Sequence, residues 1–379
     1  MWRSCDETAK TPRGRHLAFA PAIQFVPRRE PWLPRPVQRA SGTAGESSLA
    51  PNRPQSRPGS SATTLLHSFA SQDWFFVGYF IAILLALAFG RGPDRGACVV
   101  RVSADFGVYL LVVALVRRHV LRWGGVASAL LYRVTIMGVL LASFFQLREI
   151  LPAVSSRAVD ARIYAFDLHV FGVEPSVWLD RFVRPATTEW FAFFYFLYFL
   201  ILMVHVFPMI FSRDSVLLAR FALGILLIFM TGHLLYMAVP GWGPYWYLRG
   251  TFAHTLEGPT FWPLVREAVD AGGAQKDIFP SLHTAVPTFL AIFSFRHRQR
   301  LPFRYTWPVV AFLATQIIIA TMFLRWHYLV DVVAGLILAI SASIVTQRLA
   351  DWESARRERL GVQAAWMPLV YPWSRPHRA

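Results

Sequence analysis

Residues 306–347 read TWPVVAFLATQIIIATMFLRWHYLVDVVAGLILAISASIVTQ. The two apolar runs within it, 306–325 and 327–347, each approach the ~20 residues that cross a bilayer as a helix, and only the Arg325-Trp326-His327 junction separates them. So short a junction makes them antiparallel neighbours. It leaves an arginine, a histidine and, four residues on, Asp331 at one membrane edge, where lipid supplies no hydrogen-bond partners and polar side chains mark function.

Outward from this stretch, comparable runs recur at 74–90, 102–116, 124–146, 190–211, 217–239 and 279–295, so eight spans are expected. The runs are continuous and rich in Leu, Phe, Ala and Val, whereas barrel strands would alternate over about ten residues. The expected fold is therefore all-α, a polytopic membrane bundle. The run at 102–116 is the weakest, because Arg101 and Asp105 shorten it. Among the 379 residues 55% are hydrophobic and 16% charged, against about 25% charged in soluble domains, which excludes an ordinary soluble enzyme.

The formal charge of +16 does not point to nucleic acid. Lys10 and Lys276 are the only lysines and Asn52 the only asparagine, a bias that reads as GC-rich coding plus the basic loops of a membrane protein. RRHVLRW at 117–123, SRDSVLLAR at 212–220, RHRQRLPFR at 296–304 and SARRER at 354–359 fall on one side, the expected cytoplasmic face, together with both termini. A multi-pass protein of the cell membrane, plasma or inner, is expected. Cys5 and Cys98 give neither a disulfide framework nor a metal spacing.

Four regions follow: a Pro-, Arg- and Ser-rich segment at 1–70 expected to be disordered, extra spans in 71–123, a main membrane unit at 124–347, and a cytoplasmic tail at 348–379. No apolar core of the roughly seven to fifteen residues of a cleaved secretory signal follows the first arginines. The non-cytoplasmic face carries two long loops, 147–189 and 240–278. SVWLDRFV at 176–183 reads as a short interfacial helix with Trp178 and Phe182 toward lipid, and VPGWGPYWYLRG at 239–250 as an ordered lid.

Two clusters on that face can carry chemistry. Phe279-Pro280-Ser281-Leu282-His283 opens the sixth span, where Pro280 near the helix start leaves backbone N–H groups free for an anion and Ser281 adds a hydroxyl. His327 and Asp331, read as two positions on one face of the last helix, pair a carboxylate with an imidazole whose other nitrogen is then presented as a base or nucleophile. Arg325 offers a planar fork for phosphate oxygens, and His283 a second imidazole able to protonate a leaving alkoxide. Taken singly, such a His-Asp pair is more often a hydrogen-bonded pair than a catalytic one, and Pro-Ser at a helix start is usually a cap; their meeting on one face is what favours chemistry. His205 and His233 read as buried partners of neighbouring helices, with lining of the pocket as the lesser reading of His233, and Arg133 as internally paired or snorkelling.

FPSLHTA at 279–285 with ATMFLRWHYLVDVVAG at 320–335 resembles the type 2 phosphatidic acid phosphatase superfamily, specifically its inositol phosphorylceramide synthase branch. FDLHVFGVEPSVWLD at 166–180, FFYFLYF at 193–199 and AVPGWGP at 238–244 look like that branch too, so the resemblance covers about 124–347. It implies a six-helix catalytic core preceded by about two extra spans. By the same resemblance His327 attacks phosphorus, Asp331 orients it and His283 protonates the leaving group, through a phosphohistidine without metal or other cofactor. The Ser-Arg pair of the hydrolases is replaced here by Ala320 and Thr321, with Arg325 one helical turn later. The arginine that often follows Gly-Pro in the synthase-like branch is replaced by Tyr245, a charge that Arg249 or Lys276 could supply.

The partners expected are membrane lipids, a phospholipid donor and an alcohol acceptor. The Arg-x-His-Tyr pattern favours a lipid phosphotransferase over a lipid phosphate or polyprenyl pyrophosphate phosphatase. A non-catalytic lipid-binding protein or transporter is the alternative from another class; no internal repeat supports it.

Overall fold

The structure, a computed structural model, describes residues 66–118, 125–274, 276–362, 364–367 and 369. The segment expected to be disordered lies outside the described residues as far as position 65. The described helices are α1 (Ser71–Phe89), α2 (Arg95–Arg117), α3 (Gly125–Val154), α4 (Asp160–Phe171), α5 (Pro175–Leu179), α6 (Pro185–Ile210), α7 (Ser215–Ala238), α8 (Pro244–Tyr247), α9 (Phe261–Gly272), α10 (Leu282–Arg296), α11 (Phe303–Phe323) and α12 (Leu329–Leu360). A 3₁₀ turn, Asp180–Phe182, extends α5. Among the described residues there is no strand.

Among the described residues, seven helices are long and apolar enough to cross a membrane: α1, α2, α3, α6, α7, α11 and α12. The protein is a multi-pass membrane helical bundle. The run expected to be weakest is a full span, because α2 begins seven residues earlier than its apolar run and its polar residues find partners on α3. Arg101 pairs with Glu149, and Gln146 Nε2 donates to Asp105 Oδ2 at 2.6 Å.

The sixth expected span is the one the structure corrects. Helix α10 has only 15 residues, about 22 Å at 1.5 Å per residue, short of the ~30 Å hydrocarbon core. Its cap, Ser281, is fully buried, accepting from Thr284 N at 3.2 Å through Oγ and donating its own N–H to Asp331 O at 3.0 Å. Irregular backbone survives at such depth only inside protein. Helices α6, α7, α11 and α12 all pack on α10 and supply that enclosure. The approach to α12 is closest at Gly335, where a Cβ would stand 2.5 Å from the Ser281 carbonyl oxygen.

Helix α12 runs on past the expected end of its span to Leu360. Buried Arg133 donates to Ile210 O, Ser212 O and Met367 O, tying α3 to the 211–214 turn and to the last described residues.

Candidate active site

The turn between α11 and α12 is built by a helix stop and a helix start back to back. Helix α11 ends in a Schellman motif: Trp326 N donates to Thr321 O at 2.9 Å and Arg325 N to Met322 O at 3.0 Å. The left-handed position, usually glycine, is Arg325 at φ 67°, costing roughly 1–2 kcal/mol for a residue with a Cβ. The helix does not persist to Arg325, so the face expected for its guanidinium is not the one it takes. Nη2 donates to Asp180 Oδ1 at 2.7 Å and to His254 O at 2.6 Å, while the guanidinium lies 3.8 Å over the Phe252 ring.

Nor is His327 on the last helix. Helix α12 starts at Leu329, and Asp331 folds back to accept from Tyr328 N at 2.9 Å. The expected pair meets across this cap with His327 Nδ1 3.6 Å from Asp331 Oδ2, longer than a hydrogen bond, as catalytic contacts often are before substrate tightens them. His327 Nδ1 and Asp331 Oδ1 are buried with no partner.

Four acids of the first long loop grip this turn from outside. Asp160 accepts from Trp242 N, Gly243 N (2.9 Å) and Tyr328 Oη (3.1 Å). Asp167 accepts from Leu329 N (2.7 Å) and Val330 N (3.1 Å), capping α12 beside Asp331. Glu174 hydrogen-bonds Asp167, and burial first, then that neighbouring carboxylate, pushes its carboxyl up to about 7, so the two share a proton. Asp180 holds Arg325. At Gly243, φ is 80° and a Cβ would stand 2.5 Å from Trp326 O, so glycine lets the second loop lie against the turn, where Tyr245 N donates to Arg325 O at 2.6 Å.

These contacts frame a cavity of about 360 Å³ that brings His283 and His327 together. Their ring centroids are 6.3 Å apart, room for a phosphoryl group with a contact of ~3 Å to each imidazole. His283 stacks on Tyr195 at 4.4 Å, its Nδ1 3.5 Å from Tyr195 Oη, and packs against Tyr198 at 4.1 Å; Nε2 is buried and unpartnered. Asp277 lines the same cavity. Burial raises its carboxyl to about 6, with His327 pulling the other way. The opposite walls are apolar, Leu140 and Phe144 on α3 and Phe199 and Met203 on α6 among them, and Leu141, Phe145 and Phe199 also reach the outer surface of the bundle.

Of the expected phosphate ligands, Ser281 is fully buried as the α10 cap and does not line the cavity. Arg325, Arg249 and Lys276 do not line it. Arg249 is exposed. Lys276 Nζ donates to Ser156 O at 2.8 Å, at the end of α3, and burial lowers its pKa. The arginine that does line the cavity is Arg266, on α9, which the sequence reading missed along with Asp277. Asp277 had a signal, six residues before His283 beside the motif. Arg266 had a fainter one, the apolar i, i+3, i+7 positions Trp262, Val265 and Val269 of an amphipathic helix.

The histidines read as buried partners are so. His205 Nδ1 contacts Ile201 O at 2.8 Å and Nε2 Ser294 Oγ at 3.2 Å, and His233 Nδ1 contacts Tyr79 Oη at 2.8 Å. Trp178 and Phe182 pair at the surface, half-exposed. Among the described residues, no three His, Cys, Asp or Glu side chains converge as a metal site would require.

Residues 162–345 match the model of the PAP2 superfamily. The matched segment holds every residue of the cavity except those of α3, and it starts later than the 124–347 expected from the resemblance. No curated protein and no solved structure matches the chain. The family match supports the type 2 phosphatidic acid phosphatase superfamily, and with it phosphatase or phosphotransferase chemistry on phosphoesters.

Proposed function

We propose that the protein transfers a phospho-headgroup from a phospholipid to an alcohol acceptor, through a phosphohistidine at His327, on the non-cytoplasmic face of the membrane. One observation carries the reading: two imidazoles with unpartnered buried nitrogens share one end of a cavity whose opposite walls, on α3 and α6, are apolar and reach the bundle surface. That combination suits a substrate whose phosphate reacts while its chains stay in lipid.

In the first step a His327 nitrogen attacks phosphorus, the bond to the leaving oxygen breaks, and His283 gives that oxygen its proton. In the second the acceptor hydroxyl attacks the phosphohistidine, returns a proton to His283, and the P–N bond breaks. Asp331, with Asp167 behind it, fixes the turn that presents His327. Water in place of the acceptor makes the same machinery a lipid phosphate or polyprenyl pyrophosphate phosphatase. The Arg-x-His-Tyr pattern and the inositol phosphorylceramide synthase-like segments favour transfer. The basic loops at the opposite end favour cytoplasmic termini.

The test is turnover of phosphate-labelled phospholipids and polyprenyl phosphates by detergent-purified protein and by His327→Ala, with and without ceramide, diacylglycerol and inositol. Label passing into a new lipid only when His327 is present supports transfer. Free labelled phosphate would make it a phosphatase, and absence of any His327-dependent product would overturn both.

A further inference from the structure

We infer that Arg266 takes the substrate phosphate, delivered into the cavity by helix α9 and aimed by Tyr245. This deepens the phosphotransfer reading and rests on it for the identity of the anion. Burying a phosphate beside two imidazoles needs a fixed positive charge, and the described lining residues include one arginine and no lysine. The other three cations near the turn are unsuited. None of them lines the cavity: Arg325 Nη2 is held by Asp180 and the His254 carbonyl, Lys276 by the carbonyls that follow α3, and Arg249 is exposed.

Arg266 is built to be aimed. Its Nη1 donates to Tyr245 Oη, and its guanidinium lies 4.9 Å from the Tyr245 centroid and 5.9 Å from those of Trp246 and Trp262. Tyr245 in turn stacks on Trp326 at 4.9 Å, the residue beside His327. A chain of contacts thus links the guanidinium to the nucleophile's own turn. The neighbouring acid leaves the fork open, since Asp270 approaches Nη2 only to 3.9 Å, and Nε is buried with no partner. A planar fork with unspent donors matches two oxygens of a tetrahedral phosphate.

The helix itself is anchored from below. Glu189, near the start of α6, accepts from Thr260 N (3.2 Å), Phe261 N (2.8 Å) and Trp262 N (3.0 Å), closing the α9 start. Val265 is fully buried one residue before Arg266. The rotation of α9 is therefore fixed, and with it the side on which Arg266 emerges.

Equilibrium binding of labelled dihexanoyl phosphatidic acid, with dihexanoylglycerol as the uncharged control, separates this role from turnover. Arg266→Gln should weaken phosphatidic acid binding at least tenfold and leave diacylglycerol binding unchanged. Arg266→Lys, which keeps the charge and loses the fork, should fall between. Tyr245→Phe, which removes only the hydroxyl, should weaken the phosphate-bearing lipid about threefold and guards against misfolding of Arg266→Gln. Phosphatidic acid binding that is equal in wild type and Arg266→Gln, or no tighter than diacylglycerol in wild type, overturns the assignment. His327→Ala keeps Arg266-dependent binding while losing turnover, so a wild type that binds in this way without His327-dependent turnover sinks the phosphotransfer reading and leaves Arg266 as an anion site.

Discussion

The two ends of the bundle both bury acids, and they use them in opposite ways. At the end of the basic loops, Asp73 is fully buried and accepts from Ala70 N, Tyr109 Oη, Tyr132 Oη and Arg117 Nη2 at 2.5–2.9 Å. Glu353 likewise takes Arg357 Nε at 2.5 Å and Ser71 Oγ at 2.7 Å. Each carboxylate there is matched by a cation, and none of these side chains lines the large cavity. At the opposite end Asp180 is matched by Arg325, but Asp160, Asp167 and Asp331 are met by neutral backbone N–H groups and a tyrosine hydroxyl, leaving His283, His327 and Arg266 with unspent nitrogens around a space. Paired charges hold helices together; unpaired ones wait for a ligand.

The largest effect that would sharpen this contrast is in His327→Ala. Turnover should fall on the order of 10³-fold or more, with the thermal unfolding temperature unchanged. A comparable loss of stability would mean that the turn, too, is structural. Asp73→Ala should do the reverse, costing about 3–5 kcal/mol by stranding Arg117, read as loss of monodisperse protein or a lowered unfolding temperature. Wild-type stability after that substitution would break the comparison.

A third test uses the proton shared by Glu174 and Asp167. Because the Glu174 carboxyl is raised to about 7 when folded, the folded chain holds an extra proton above the unfolded pKa, and stability is lost as pH rises from about 4.5 through 7. The loss is at most about 3 kcal/mol. Glu174→Gln keeps a donor toward Asp167 and removes the titration, so unfolding temperature against pH should flatten over that window. An unchanged slope would place the titration elsewhere.

The smallest effect concerns the helix stop. Arg325→Gly relieves the left-handed cost of roughly 1–2 kcal/mol but strands buried Asp180, which costs about 3–5 kcal/mol, so stability should fall by about 2 kcal/mol. Transfer should slow about tenfold as the turn loosens. A larger fall, matched by weakened phosphatidic acid binding, would bring Arg325 back as a phosphate ligand.

Spans were legible because bilayer thickness sets their length, and the convergence of His283 with His327 followed from counting spans. The depth of α10 was not legible. Phe279 and Pro280 extend its apolar run, and only the packing of four helices around Ser281 shows where the helix begins. Arg325 misled because residue type gives no notice of a left-handed backbone position when it is not glycine. Arg266 escaped because its direction depends on Glu189 and Tyr245, distant in sequence and joined to α9 only by the fold.

The shortness of α10 also bears on how the protein is made. Fifteen residues, with Pro287 and polar Thr284, Thr288 and Ser294 among them, are a weak signal for partition from the translocation machinery into lipid. Such a segment is retained by neighbours already in place or arriving with it, chiefly α6, α7, α11 and α12. Since His283 is the second residue of that segment, one of the two imidazoles lining the cavity is put in place only as the bundle closes. A chain stalled or wrongly threaded during insertion thus has only one of the two imidazoles in place.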